Sequence, residues 1–158
     1  MLFRSDGKLA GTAQIESGRV KGNAGLSGGV LRGFEVLDQA ADFTGRTEFR
    51  ALPIQKASAD FEIHNGEFVF RNVFLESAKL LQVKGSISVA KNQALSGNLD
   101  VGVNPSLVSG IPGARSQVFT READGLVWTP VCVGGTLDSP TENLTSRLIS
   151  AAGGPLLE

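Results

Sequence analysis

The chain has 158 residues, and its 15 basic and 16 acidic residues leave a net charge of −1 without a basic stripe. This balance argues against nucleic-acid binding, because such affinity comes mostly from neutralising phosphates. The length fits one domain with a sizeable core. Cys132 is the single cysteine and cannot form an internal disulfide, and no Cys/His cluster predicts a metal ion, so we expect no cofactor.

The sequence predicts neither a membrane-spanning segment nor a signal peptide. The longest uncharged run, Val101–Ala114, contains asparagine, serine, glycine and proline and lacks the ~20 apolar residues that a spanning helix needs. Met1 is not followed by the basic region and apolar stretch of a signal peptide. The protein is therefore either cytoplasmic or a piece excised from a larger protein. We favour the second interpretation, with residues 1–155 as one domain and residues 157–158 as a vector-derived remnant.

The first predicted element is a strand over Lys8–Ser17 that continues through Gly18–Lys21 as a hairpin. Four glycines then precede a helical pattern: Gly22, Gly25, Gly28 and Gly29. Such a run could cradle a phosphate, but no Gly-Lys-Ser/Thr closes it and no βαβ unit surrounds it. A flexible turn into the helix is the favoured interpretation.

A first amphipathic helix is predicted from apolar residues at helical spacing, namely Val30, Leu31, Phe34, Leu37 and Ala41. Ser27 or Gly28 could cap its start, and Gly45 lies just past its end. A strand over Thr47–Leu52 is expected to follow.

The strongest signal is period-two alternation over the next segments, which predicts four consecutive antiparallel strands in a meander. Ala57–Ile63 alternate before Asn65-Gly66, a strong signal for a type I′ hairpin turn. The run Glu67–Glu76 changes phase, which predicts a β-bulge near Arg71-Asn72. Strands through Leu81–Val89 and Leu95–Val103 follow, separated by a turn at Lys91-Asn92.

The last part of the chain predicts strands over Ser116–Arg121 and Leu126–Gly134, with Cys132 as a buried structural thiol. A second short helix is expected to begin at Ser139 as N-cap, with Pro140 at the first helical position and Glu142 completing a capping box. The predicted fold class is therefore mainly β with minor α: a curved antiparallel meander sheet of about eight or nine strands and two short amphipathic helices.

Residues that could carry chemistry are few. His64 is the only histidine, on the polar side of its strand, and a surface role is the favoured interpretation. Asp60 and Glu62 share a strand face about 6.6 Å apart, a spacing compatible with a glycosidase pair. Alternating charges on an exposed face give the same spacing, so we expect no catalytic residues and no enzyme.

Several segments, in order, resemble the C-terminal domain of the AsmA-like family of bacterial envelope proteins. They are Gly7–Gly18, Gly29–Leu37, Thr47–Phe49, Ala59–Gly66, Phe74–Ser77, Val83–Val89, Leu95–Val101 and Pro130–Pro140. The resemblance extends over roughly Gly7–Ile149, and it rests on the order and spacing of glycine-punctuated strands. Cys132 and the polar insert Arg115–Asp124 depart from the family pattern.

The resemblance implies a periplasmic part of an inner-membrane-anchored envelope protein, with the membrane anchor upstream of this segment. It also implies a role in phospholipid transport to the outer membrane, or in the assembly of that membrane, through an apolar groove in a β-sheet. The candidate groove residues are Phe61, Ile63, Leu81, Val83, Ile87, Leu99, Val101 and Val103.

Three interpretations stay open at this point. The first is a lipid-binding module with acyl chains, and other envelope proteins, as partners. The second is a structural module that caps the sheet and docks a protein at an open edge strand. The third is a small hydrolase. The candidate groove residues could also form an ordinary closed core.

Overall fold

The computed structural model describes residues 2–4, 8–32, 38, 41–42, 45–78 and 80–153, with the backbone alone for residues 2–4. Its strands are β1 (Leu2–Arg4), β2 (Lys8–Glu16), β3 (Arg19–Ser27), β4 (Val30–Arg32), β5 (Ala51–Pro53), β6 (Lys56–His64), β7 (Glu67–Ser77), β8 (Leu81–Val89), β9 (Leu95–Val103), β10 (Arg121–Ala123), β11 (Leu126–Gly135) and β12 (Pro140–Glu142). The helices are a 3₁₀ helix (Thr47–Arg50), α1 (Pro105–Val108), a π-helical turn (Ala114–Val118) and α2 (Leu144–Ala151).

A nine-stranded antiparallel sheet, not closed into a barrel, dominates the fold and confirms the predicted class. Its order is β10-β11-β9-β8-β7-β6-β3-β2, with β12 also paired to β11. Strands β6 to β9 are neighbours in chain order, as the meander prediction requires. A second, three-stranded sheet in the order β1-β4-β5 was not predicted.

The predicted turns and the predicted bulge are present. Asn65 and Gly66 have φ of 51° and 77°, the left-handed pair that a type I′ turn needs. The register of β7 shifts by one residue against both neighbouring strands, between Phe70 and Val73 on the β8 side. Asn72 takes a φ of 50° at this bulge. The extra residue returns the apolar side chains of β7 to the face that they would otherwise leave.

Five local predictions of secondary structure are wrong, each in a short segment. Val30–Arg32 forms strand β4 between β1 and β5 instead of the first turn of a helix. Helical backbone is found at Asp38, Ala41 and Asp42, while residues 33–37 and 39–40 of the predicted helix lie outside the described residues. Gly22 and Gly25 continue strand β3 instead of forming a loop. A glycine is needed at position 22 because the carbonyl oxygen of Thr12 on β2 lies where a Cβ would be.

The other three errors concern two predicted strands and the start of the second helix. Thr47–Arg50 is a 3₁₀ helix that leads into β5, and most of Ser116–Arg121 belongs to the π-helical turn and the residues after it. Pro140–Glu142 pairs with β11 as strand β12, so helix α2 begins at Leu144. Its first turn is still capped by Glu142, whose Oε2 accepts hydrogen bonds from the backbone N–H of Leu144 and Thr145 at 2.6 and 3.0 Å.

The hydrophobic core lies at one end of the large sheet. Only Leu81, Val103 and Val127 contribute to it from the large sheet, and they are directly opposite one another on β8, β9 and β11. The other buried members come from the connecting segments: Ala41, Phe49, Leu52, Ile54, Leu107, Val108, Ile111, Ala114, Val118 and Phe119. The long connections from β3 to β6 and from β9 to β11 therefore form the second layer, and they cover this end.

Candidate functional site

The strand registers place the apolar side chains of the large sheet on one face, which we call the apolar face. Val20 on β3 is opposite Ile63 on β6, which is opposite Phe68 on β7. Phe68 is in turn opposite Val89 on β8, and Val89 is opposite Leu95 on β9. Because side chains directly opposite each other share a face, these residues form one apolar row across five strands.

A second apolar row lies one step further along the strands. It joins Phe61, Phe70 and Ile87, which are mutually opposite on β6, β7 and β8. Gly22 and Gly97 continue the row on the outer sides, and the ring of Phe61 lies so close to Gly22 that an added Cβ would be 2.7 Å from it. The two rows together form a continuous apolar surface at the end of the sheet where the tight turns lie.

The row beyond these two has small residues on strands β2, β3, β6 and β8. Gly11, Ala24 and Ala59 are opposite one another on β2, β3 and β6, and Gly85 occupies the matching place on β8. Gly85 has a φ of 148°, and a Cβ there would lie 2.2 Å from Asn98 O, so this place requires glycine. Val73 on β7, Leu99 on β9 and Val131 on β11 occupy the other places of this row, so only part of it is small.

The core leaves the two bulky rows uncovered, and we call them the open half of the apolar face. Its residues are Val20, Phe61, Ile63, Phe68, Phe70, Ile87, Val89 and Leu95, of which none belongs to the core cluster. Phe68 is 41% exposed, and the others are half-buried by their neighbours in the sheet. At strand β2 the face is open along its whole length, since Leu9 and Ile15 are 77% and 81% exposed. Contiguous exposed apolar surface of this kind marks interaction sites.

The predicted groove residues all lie on the apolar face, but in different surroundings. Phe61, Ile63 and Ile87 belong to the open half, and Leu99 is half-buried outside the core cluster. Val83 and Val101 pack against the core cluster, while Leu81 and Val103 are buried in it, with 8% and 5% exposure. The sequence reasoning did not include Val20, Phe68, Phe70, Val89 and Leu95, although alternation combined with the Asn65-Gly66 turn could have placed Phe68 opposite Ile63.

The opposite face of the sheet is polar and internally paired. Glu62 Oε1 lies 3.0 Å from Arg19 Nε, and its Oε2 accepts a hydrogen bond of 3.2 Å from Arg71 Nη1. The hydrogen bond from Arg71, with added effects of the Arg19 and Lys21 charges, holds the pKa of Glu62 below its ordinary value. Asp60 Oδ2 accepts a 2.7 Å hydrogen bond from Asn72 Nδ2 at the bulge.

These contacts argue against Asp60 and Glu62 as a glycosidase pair. A general acid needs a raised pKa, and Glu62 is shifted the other way. His64 is half-buried, and its Nε2 lies 3.2 Å from Asn65 Nδ2. Within the described part of the chain, no group of three or more His, Cys, Asp or Glu side chains could hold a metal ion.

Cys132 also lies on the polar face, which corrects the predicted buried thiol. It is exposed, opposite Asn98 on β9, and its Sγ lies 3.6 Å from Asn98 Oδ1. The neighbouring Val131 takes the buried position on the apolar face, with 5% exposure. The alternation of β11 therefore places Cys132 on the face opposite to that of Val131.

A depression of about 710 Å³ lies beside the β7 bulge. Its lining combines the polar residues Arg71, Asn72, Lys84, Ser86, Ser88, Ser96 and Asn98 with the apolar residues Val69, Val73, Phe74 and Ile87 and with Gly85 and Gly97. Ile87 of the open half is thus also one of the residues that line this depression.

Comparison with protein-family models, with curated proteins and with solved structures finds no match for this chain. Within the described residues, no helix has the length and apolar character needed to cross a membrane.

Proposed function

We propose that this domain is a non-enzymatic lipid-binding module whose open half of the apolar face binds phospholipid acyl chains. The observation that carries the proposal is the one-sided coverage of the sheet: apolar side chains share one face, yet the core covers only one end of it. Acyl chains need no directional partner, and each buried methylene contributes about 0.8 kcal/mol. The paired charges of the polar face make that side a solvated surface.

The proposal includes the setting that the AsmA-like resemblance implies. The domain then works in the periplasm as part of a protein anchored in the inner membrane, and it contributes an apolar track along which phospholipids pass to the outer membrane. No catalytic residue is required for this, because a lipid moves along such a track by exchanging apolar contacts.

The test is a titration with a dansyl-labelled undecanoic acid, whose fluorescence rises in an apolar site. Ile87 lies in the open half, and Ser88 is its neighbour on the polar face of the same strand. We expect Ile87→Asp to weaken probe binding by roughly ten-fold or more, because it places a charge in the apolar row. Ser88→Asp adds the same charge on the other face and should leave binding unchanged.

A folding control completes this experiment. Val83 packs against the core cluster, so a charge there would test folding instead of binding. Phe68→Ser is the milder variant, since Phe68 is 41% exposed, and it should bind the probe less well while keeping the thermal transition of the wild type. Equal probe binding by the wild type and by well-folded Ile87→Asp and Phe68→Ser would overturn the proposal.

A second candidate function is the docking of a protein at an edge of the sheet. It is favoured by strand β2, which ends the sheet and is exposed at all nine residues. An edge strand of this length is a template for the addition of another strand.

A further inference from the structure

The two edges of the large sheet differ in how far other segments of the chain cover their backbone groups. On the β11 side, the short strands β10 and β12 each pair with part of the edge. Between them, Arg147 Nη1 donates to the carbonyl of Pro130 at 2.6 Å, and Asn143 Oδ1 accepts from the N–H of Cys132 at 2.9 Å. This edge is therefore blocked by short strands, a proline and side chains, as is usual in monomeric β proteins.

The β2 edge has no such protection within the part of the chain that the structure describes. All nine residues of β2 are exposed, and its segment contains neither proline nor a bulge. Ser17 and Gly18, with φ of 49° and 76°, form a two-residue turn, so Glu16 and Arg19 are the hydrogen-bonded pair beside it. Alternation then directs the backbone N–H and C=O groups of Leu9, Gly11, Ala13 and Ile15 away from β3.

We propose that β2 pairs with β2 of a second copy of this chain, antiparallel, with Thr12 opposite its own counterpart. In this register the charges and the side-chain sizes along β2 of one copy are complementary to those along β2 of the other. Lys8 then lies opposite Glu16 of the other copy, at both ends of the interface, and Leu9 lies opposite Ile15. The small residues Gly11 and Ala13 face each other near the centre.

The backbone groups fit the same register. Leu9 with Ile15, and Gly11 with Ala13, become hydrogen-bonded pairs, and each of these residues directs its free groups outward. About eight backbone hydrogen bonds would join the copies. The two copies of Thr12 form a non-hydrogen-bonded pair on a two-fold axis perpendicular to the sheet. Two-fold symmetry is closed, as expected of a dimer.

The pairing also continues the apolar face from one copy into the other. Leu9 and Ile15, 77% and 81% exposed in one chain, become cross-strand partners, and the apolar faces of both sheets lie on the same side. A strand-to-strand interface of this size is small, so the dimer is expected to dissociate in the micromolar range. This inference rests on the edge-docking function and is independent of whether acyl chains bind.

Disulfide cross-linking tests the register. In a Cys132→Ser background, Thr12→Cys places two thiols at the two-fold axis, where the Cα atoms of a non-hydrogen-bonded pair are about 4.5 Å apart. Ala10→Cys is the matched control on the same strand and the same face, and its two thiols would be about 13 Å apart along the strands. Under mild oxidation we expect a disulfide dimer of the Thr12→Cys protein to form roughly ten-fold faster or more. Equal rates for the two variants would overturn the register.

Charge reversal tests the interface without cysteines, by sedimentation equilibrium in the absence of lipid. Lys8→Glu alone, or Glu16→Lys alone, places like charges opposite each other twice, and we expect the dissociation constant to rise roughly ten-fold. The doubly reversed protein should dimerise like the wild type. A wild-type chain that stays monomeric at several hundred micromolar, or a double variant no better than the single ones, would overturn the proposal. Neither result would alter probe binding by the open half, so failure of the two proposals is distinguishable.

Discussion

Trp128 is the only indole of the chain, and it lies against the backbone of Gly102 on the polar face. The Nζ of Lys84 is 5.0 Å from the centre of the ring, and the guanidinium carbon of Arg121 is 5.8 Å from it. The indole N–H donates to Ala123 O at 3.0 Å. The ring is thus buried under two cations, and only a glycine leaves room for it.

The close approach predicts the effect of adding one methyl group. A Cβ on Gly102 would lie 2.6 Å from Cε2 of Trp128, so Gly102→Ala must displace the ring and should cost about 1–3 kcal/mol of unfolding free energy. Gly25→Ala is the matched control, because its nearest neighbours would be 3.9 Å away. It should be neutral or stabilising. Urea denaturation of both proteins checks this, and equal midpoints would contradict the packing argument.

Helix α2 acts as the cover of strand β11. Thr129 is fully buried, and its Oγ1 accepts a 2.7 Å hydrogen bond from Arg147 Nη2, while Nη1 of the same guanidinium binds the carbonyl of Pro130. Leu144 and Leu148 of the helix pack against the core cluster. Arg147 therefore connects helix α2 to the sheet by hydrogen bonds and also occupies a backbone carbonyl at the edge of β11.

The arginine contact predicts the effect of removing the guanidinium. Arg147→Met keeps the apolar stem but leaves the Thr129 hydroxyl and the Pro130 carbonyl without their donor, which should cost about 1–3 kcal/mol. Arg115→Met removes an exposed ion pair with Glu122, 3.4 Å apart, and should change stability by less than about 0.5 kcal/mol. Chemical denaturation of the two variants provides the comparison. A loss for Arg147→Met no larger than for Arg115→Met would mean that the helix is held by its apolar contacts alone.

At the scale of the whole molecule, the position of the long connections decides where the core forms. Tight turns at Ser17-Gly18, Asn65-Gly66 and Lys91-Asn92 close one end of the sheet and supply no covering side chains. The connections that carry Leu52, Ile54, Leu107 and Ile111 leave from the other end. The sheet therefore has one half held by a second layer and one half left open.

The difference in burial between Leu52 and Leu9 predicts unequal effects of the same substitution. Leu52 is 1% exposed in the core cluster, and Leu52→Ala should cost about 2–5 kcal/mol. Leu9 is 77% exposed on the apolar face, and Leu9→Ala should cost less than about 0.5 kcal/mol. Thermal or urea unfolding measures both values. A large cost for Leu9→Ala would show that another layer covers strand β2 in solution.

The sequence by itself determined the meander β6 to β9, its type I′ turn and its bulge, because alternation and turn chemistry are local properties. The bulge followed from the phase change between Phe70 and Val73, and the sharing of one face by Phe61, Ile63 and Ile87 followed from alternation. Short segments were not determined in this way. Val30–Arg32 became a strand because β1 and β5, distant in sequence, offered it hydrogen bonds. Pro140–Glu142 became a strand because it folds back on the end of β11, five to nine residues earlier in the chain.

Only the tertiary structure decided which apolar residues are covered. Leu81 and Ile87 have the same place in the alternation of β8, yet Leu81 is buried beside Val103 and Ile87 is not. Period two fixes the face of a side chain, but not its distance from the connections that form the second layer. That distance depends on which ends of the strands are joined by long connections. It decides whether an apolar residue belongs to the core or to the open half.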